Sequence, residues 1–488
     1  MKTLFEQSVP GRKGVMPEAP QTSAADHIPA EFVRQSPPAL PELGELDVVR
    51  HFTRLSRQNF GVDSNFYPLG SCTMKYNPKF LEDIASLPGF TRLHPLIPQL
   101  QGGGQLTQGA LEVIYHLESL LQEITGMAGY TLQPLAGAHG ELTGAMLIAA
   151  YHKDKGNRKT KVLVPDSAHG TNPASAAIAG YDVVNVPSKD GIIDPEVLQE
   201  YVDDEVAALM MTCPNTLGLF ESHLPRIVEM IHGVDGLLYY DGANLNAIMG
   251  KLRVGDAGFD VVHLNLHKTF GTPHGSGGPG SGPVGVSEKL LDFLPISRVV
   301  KLEDGQYCLD YDYPKSIGYI APFYGNFAVM LKAYAYILRL GRQGLVRASE
   351  NAVLAANYLR KRLEDHLEIP YNRICMHEFV ISAAQQAEQG VRAIDIAKAL
   401  LDKGHYAPTV YFPLIVKECL MVEPTETESK ATLDHFVEDL IDIVQRAAGE
   451  PESVTHAPQN LPVKRLDEVL AARAMDLVHT ESSADAAK

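Results

Sequence analysis

At 488 residues, 45% hydrophobic and 21% charged, the chain has ample material for a buried core, and its length suggests two to three globular domains. Its formal net charge of −17 argues against a nucleic-acid partner, because phosphate binding needs a basic surface. No apolar run approaches the roughly 20 residues that span a bilayer, and the N-terminal stretch MKTLFEQSVPGRKGVMPEAP lacks the apolar segment of a secretory signal.

Five cysteines, at 72, 213, 308, 375 and 419, form no CxxC pair. Their scatter fits reduced thiols in a cytoplasm and gives no metal framework. Residues 1 to about 46 carry prolines at 10, 17, 20, 29, 37, 38 and 41, which predicts an extended arm rather than a domain. Val48, Val49, Phe52 and Leu55 then give a short amphipathic helix. The following loop, Phe66-Tyr67-Pro68-Leu69-Gly70-Ser71-Cys72-Thr73-Met74-Lys75, is more specific in its polar residues than a linker needs.

From Thr107 to Thr125 apolar residues recur at helical spacing, with Gly126 where the residue after a helix end belongs. Gly137-Ala138-His139-Gly140-Glu141 then precedes a helix over 142–151. Its backbone N–H groups form a natural phosphate cradle, or simply a glycine-containing helix start. Strands over 161–164, 183–186, 206–211, 237–240 and 261–264 alternate with helices over 172–179, 195–201 and 224–231, Asp194 capping the second of these. Continuous apolar strands in such alternation mean a mostly parallel sheet covered on both faces. Ligands bind such sheets at the strands' carboxyl ends. Ser167-Ala168-His169-Gly170, Cys213-Pro214-Asn215-Thr216, Asp241 and Lys268 all fall there.

Residues 259–286, FDVVHLNLHKTFGTPHGSGGPGSGPVGV, place Lys268 just beyond one such strand and before a glycine-rich loop that returns to the sheet at Pro283. The preceding strand ends at Asp241-Gly242-Ala243-Asn244. An acid ending one buried strand and a lysine ending the next suit pyridoxal phosphate, the lysine for its aldehyde and the acid for its ring nitrogen. Spacing alone leaves a structural pair equally open. Helices over 327–340, 344–366, 393–403 and 428–447 follow, with short strands near 374–381, 409–412 and 419–422. The expected divisions are an arm and short helix at 1–60, a large domain at 61–326, a small domain at 327–450 and a partly mobile extension at 451–488.

The stretches FYPLGSCTMKYNP, GAHGE, SAHGTNPASA, YYDGANLNA, HLNLHKTFGTPHGSGGPGSGP, YPKSIGYIAPFYGN, HEFV, HYAPTV and LMVEPTETE, from about residue 60 to 430, closely resemble the P-protein family of the glycine cleavage system. The resemblance is to that family's C-terminal half, which many bacteria make as a separate chain. Ser276 stands where the family usually has glycine. The resemblance implies an α/β, type I (aspartate aminotransferase-like) pyridoxal phosphate fold with a smaller C-terminal domain. It also implies an aminomethyl-transferring glycine dehydrogenase: glycine is decarboxylated and its aminomethyl group passes to the lipoyl arm of the H-protein.

The family's aldimine lysine falls on Lys268, and with it Asp241 becomes the partner of the pyridinium nitrogen. His169 is the candidate for stacking on the ring, and Ala138, His139 and Gly140 for contacting the phosphate. Thr216 and Asn244 are candidates for the phenolate oxygen or the ring. His267 is a further cofactor-site candidate, and its spacing from His263 is not read as a metal site. His94 and Lys75 lie in matching loops that line the substrate entrance or are surface polar residues. Rival readings are another enzyme of the same fold, such as a cysteine desulfurase or serine hydroxymethyltransferase, or a non-catalytic partner subunit. A chain of about half the one-piece length implies a separate subunit 1 and an α2β2 assembly, with the arm as a clasp on that partner.

Overall fold

The computed structural model describes residues 1–16, 18, 27–36, 38–100, 103–168, 170–274 and 280–475. His169, Gly275, Ser276, Gly277, Gly278, prolines 17, 20 and 37, and the polar tail from 476 lie outside the described residues. The chain divides into two compact units, one ending at Gly61 and the other beginning at Val62. In the first, two single 3-10 turns, Phe5–Gln7 and Ala30–Phe32, precede helix α1, Glu45–Ser56. Here the chain doubles back on itself: the N–H of Val9 reaches the carbonyl of Glu42 at 3.0 Å, and Arg12 pairs with Asp47 at 2.9 Å.

In the second unit seven strands of the described residues form one sheet: β1 Gly129–Thr131, β2 Lys161–Pro165, β3 Asp182–Val186, β4 Val206–Met211, β5 Leu237–Gly242, β6 Val261–Leu264 and β7 Val284–Val286. Their order is β1-β7-β6-β5-β4-β2-β3. Pairing is parallel from β3 through β2, β4 and β5 to β6, and antiparallel where β7 meets β6 and β1. The unbroken apolar strands have the two-faced burial that the sequence predicts. Leu209, Met211, Leu238, Tyr240, Val262 and Leu264 pack into one core cluster, and their alternate neighbours Ala208, Met210, Leu237, Tyr239 and Val261 into another. Each large apolar side chain so buried contributes roughly 1.5–3 kcal/mol.

Helix α2, Gln108–Thr125, leads into β1, and α3, Gly137–Lys155, α4, Thr171–Ile178, and α5, Leu224–Gly233, connect successive strands. Gly126 closes α2 with φ +75°, its N–H bonded to the carbonyl of Gln122 at 2.7 Å. Asp194 caps the short helix Pro195–Gln199 by accepting from the N–H of Glu196 at 2.9 Å. The four-residue helix α6, Leu266–Thr269, carries Lys268. A hairpin not foreseen from the pattern, β8 Arg298–Lys301 with β9 Tyr307–Asp310, follows β7.

The two helices expected over 327–366 form one run, α7, Phe327–Leu363, interrupted at Gly341, which takes φ +59°. Beyond it β10, Phe379–Ser382, β11, Thr409–Val410, and β12, Cys419–Val422, form an antiparallel sheet in the order β10-β12-β11. The second half of α7 covers it together with α8, Ala393–Asp402, and α9, Lys430–Gly449, through Leu359, Ile396, Leu400, Phe436 and Val437. The strand expected near 374–381 begins only at Phe379, because His377 and Glu378 turn toward a cavity instead of pairing.

Close backbone approach sets the start of α3. Gly282 donates to the carbonyl of Pro134 at 2.9 Å, and a Cβ on it would lie 2.1 Å from the carbonyl oxygen of Ala136. Gly282→Ala is therefore expected to destabilise the chain by about 1–3 kcal/mol, seen as a lower denaturant midpoint. An unchanged midpoint would contradict this packing.

Candidate active site

Parallel pairing of β5 with β6 sets Asp241 opposite His263 in register. Asp241 is buried. Its Oδ1 accepts from the N–H of Ala243 at 3.1 Å, so it does cap the following turn, and lies 3.4 Å from Nε2 of His263. Nδ1 of His263 is 2.7 Å from the hydroxyl of Tyr239. Glu141, one turn into α3, completes the group: its Oε1 is 4.0 Å from Nε2 of His263 and accepts from the hydroxyl of Thr171 at 2.8 Å. Burial, and after it the Asp241 carboxylate, push Glu141 up to about 8, so it holds a proton at neutral pH.

After β6 the chain turns at Asn265 into α6, and Nζ of Lys268 donates to the carbonyl of Ser71 at 2.7 Å. The loop carrying that carbonyl is held by two buried carboxyl groups. Glu378 accepts from the N–H of Ser71 at 2.7 Å and from its hydroxyl. Glu423 accepts from the N–H of Thr73 at 2.9 Å, its hydroxyl at 2.7 Å, and Nδ2 of Asn244 at 2.9 Å. Ser71 and Thr73 take φ of +60° and +50°, a conformation costly for a side chain with a Cβ, so these bonds hold a strained loop in place. Lys75 is neither at an entrance nor on the surface. Its Nζ is buried, donating to Glu426 at 2.6 Å, Asn246 at 2.7 Å and the carbonyl of Thr269 at 2.8 Å, which ties the end of this loop to α6.

These groups border a cavity of about 420 Å³ lined by Asp241, Lys268, Ala138, Thr216, Asn244 and His267 among others. Its size falls in the ordinary range for small-molecule sites. Several expectations change in detail. Helix α3 starts at Gly137, five residues earlier than predicted, so the N–H of Gly140 is committed to the carbonyl of Ala136 at 2.9 Å. The groups a helix start leaves for a ligand are therefore those of Gly137, Ala138 and His139, and Gly140 serves close packing instead. A Cβ there would meet the carbonyl of Gly282 at 2.7 Å. The ring of His139 accepts from the N–H of Leu135 at 3.3 Å.

Thr216 gives its single hydroxyl hydrogen to the carbonyl of Ser167 at 2.6 Å, so it cannot donate to a phenolate oxygen as it stands. The amide of Asn244 is spent on Thr73, Glu423 and the N–H of Asn246, which makes it a support for the loop. His267 lines the cavity, accepts from the N–H of Ser281 at 3.3 Å and packs edge-on to His274. Burial pulls it down to about 3, so it stays neutral. His94 borders a different, mostly apolar cavity of about 340 Å³ beside Phe90, Pro95 and Phe327.

Glu141, Ser71, Cys72, His377 and Glu378 line or frame the site without having been assigned roles from sequence. For Ser71, Cys72, His377 and Glu378 the one signal was that their motifs, GSCTMK and HEFV, carry more polar residues than loops and strands require; Glu141 closes the motif GAHGE.

Two measurements follow. Glu423→Ala orphans the two buried donors of Thr73, at about 1–3 kcal/mol each if no water enters, and loosens half-buried Asn244; limited proteolysis is expected to cut within 69–75 faster, and an unchanged rate would contradict the clamp. Glu141 titrates near 4.5 unfolded and about 8 folded, so the native chain binds the extra proton between those values and this stabilisation fades as pH rises through that window. Glu141→Gln should therefore gain stability relative to wild type from pH 5 to pH 8 in denaturant titrations. A difference that stays flat would contradict the shift.

A family model described as glycine cleavage system P-protein matches residues 19–306, and one described as glycine dehydrogenase, C-terminal domain, matches 348–464. The probable glycine dehydrogenase (decarboxylating) subunit 2 of Caldanaerobacter subterraneus subsp. tengcongensis is 57% identical over 475 residues, covering 96% of this chain and 97% of that one. The crystal structure of a glycine decarboxylase (P-protein) of the glycine cleavage system in inhibitor-bound form superposes with TM-score 0.70 at 22% identity, over 86% of this chain and 93% of that one. An aspartate aminotransferase of subgroup IV from Thermus thermophilus superposes with TM-score 0.55 at 16% identity, over 78% of this chain and 100% of that one. The fold is thus that of the type I pyridoxal phosphate enzymes, as the strand order and strand-end site also indicate.

Proposed function

The chain belongs to the glycine cleavage system P-protein family, and from that membership we propose that it decarboxylates glycine with pyridoxal phosphate and passes the aminomethyl group to a lipoylated H-protein. The observation that carries the reading is one cavity bordered by both Asp241 and Lys268, from the ends of neighbouring parallel strands.

The residues fit the cofactor. Lys268, its amine directed into the site by Ser71, would hold the aldehyde carbon, and Asp241 the ring nitrogen. The first three N–H groups of α3 would hold the phosphate at the positive end of the helix. When bound, pyridoxal phosphate supplies an electron sink for the bond pair left as carbon dioxide departs. Asp241 would keep the ring nitrogen protonated, and Glu141, uncharged beside it, adds no second negative charge at that end of the cavity. Neutral His267 adds no charge beside Lys268. The loop clamped by Glu378 and Glu423 keeps the Ser71 carbonyl against the amine and helps wall off water, which would otherwise protonate the carbon meant for the lipoyl disulfide.

The partners that complete this reading are a separate subunit 1, in an α2β2 assembly, and the lipoyl arm of the H-protein, in the cytoplasm. Among the described residues no helix is long and apolar enough to cross a membrane.

The test is a visible absorption spectrum of the chain loaded with pyridoxal phosphate, with subunit 1 added. Wild type is expected to show a yellow band that borohydride bleaches, and Lys268→Ala to lack it. A wild type that remains colourless with subunit 1 present would overturn the reading.

A further inference from the structure

A site for glycine must also hold a carboxylate, and the source of that contact is the question the cavity leaves open. Among its described lining residues there is no arginine, and Lys268 is the single lysine. With Lys268 assigned to the cofactor, the described lining residues leave neutral donors for the carboxylate. Buried polar atoms without a hydrogen-bond partner on lining residues include Glu141 Oε2, Thr212 Oγ1, Asn265 Oδ1 and His377 Nδ1. Asn265 Oδ1 can only accept. Glu141 belongs to the Asp241 end of the cavity. Thr212 directly follows β4, on the sheet-edge side of the cavity with Asp241. His377 comes from the other wall, the segment entering β10.

His377 is 3% exposed, and its position relative to the reacting end is fixed by a chain of contacts. Lys268 bonds to the carbonyl of Ser71, and the N–H of Ser71 bonds to Glu378. Oε1 of Glu378 lies 3.8 Å from Nε2 of His377, too long for a hydrogen bond, so neither ring nitrogen is committed there. Burial and the neighbouring Glu423 push Glu378 well above the carboxylate range, which removes the repulsion an incoming carboxylate would meet. Burial likewise lowers His377, so its ring is neutral with one N–H to give.

We propose that His377 receives the carboxylate of the amino-acid substrate, donating from its ring N–H; this rests on the reading of the site given above. A single neutral donor also suits the reaction. The carboxylate leaves as uncharged carbon dioxide, and a fixed cation would stabilise the ionised ground state more than the transition state.

The test uses the full chain loaded with pyridoxal phosphate, with subunit 1 added, titrated with glycine and separately with methylamine, which has the amine but no carboxylate. The shift of the visible band gives a dissociation constant for each. Wild type is expected to prefer glycine by about tenfold or more, and His377→Ala to lose about tenfold to a hundredfold in glycine affinity while methylamine affinity stays the same. His377→Asn, which keeps an N–H, should recover most of the loss. If the alanine variant fails to load cofactor, His377→Leu, which fills the space without a donor, is read in its place. Equal loss for both amines, or a wild type that does not distinguish them, would overturn the assignment. A wild type with no cofactor band at all would instead overturn the parent reading, and the assignment would fall with it.

Discussion

Asp241 and Lys268 border one cavity only because β5 and β6 run side by side in the same direction and end at the same edge of the sheet. That parallel pairing depends on residues remote from the chemistry. Tyr239, Tyr240, Val261 and Val262 are fully buried on two faces, and slipping either strand by one residue would exchange those faces and carry the acid away from its position. The site's geometry is thus tied to the core's packing.

Around that fixed edge the remaining parts are held by buried carboxyl groups rather than by apolar contact. Glu378 and Glu423 reach from the segments around β10 and β12 to Ser71, Thr73 and Asn244, and Lys75 reaches Glu426. Such networks are demanding, since removing one partner leaves the others dry and unpaired. They join three stretches far apart in sequence beside the cavity that Lys268 lines.

The parallel sheet and the placing of Asp241 and Lys268 at strand ends were legible in the sequence because they rest on local patterns: unbroken apolar runs, glycine after helices, and polar motifs at strand ends; their reading as a cofactor pair rested on the family resemblance. The roles of Thr216, Asn244 and Lys75 were not, because each is decided by a partner remote in the chain. Thr216 spends its hydrogen on Ser167, Asn244 on Thr73 and Glu423, and Lys75 on Asn246, Thr269 and Glu426. Gly140 shows the limit of boundary reading, since an earlier start of α3 turns a free N–H into an ordinary helical bond. His377 and Glu378 were hidden inside an apparent strand that begins only after them.

The most direct test of the account is exchange of labelled carbon dioxide into the carboxyl carbon of glycine, measured with subunit 1 and lipoylated H-protein for wild type and Asp241→Asn. The account predicts exchange in wild type that requires the H-protein, and a fall of several orders of magnitude in Asp241→Asn even though the variant still binds the cofactor. Exchange at the wild-type rate in that variant would contradict the central role given to the paired strand ends.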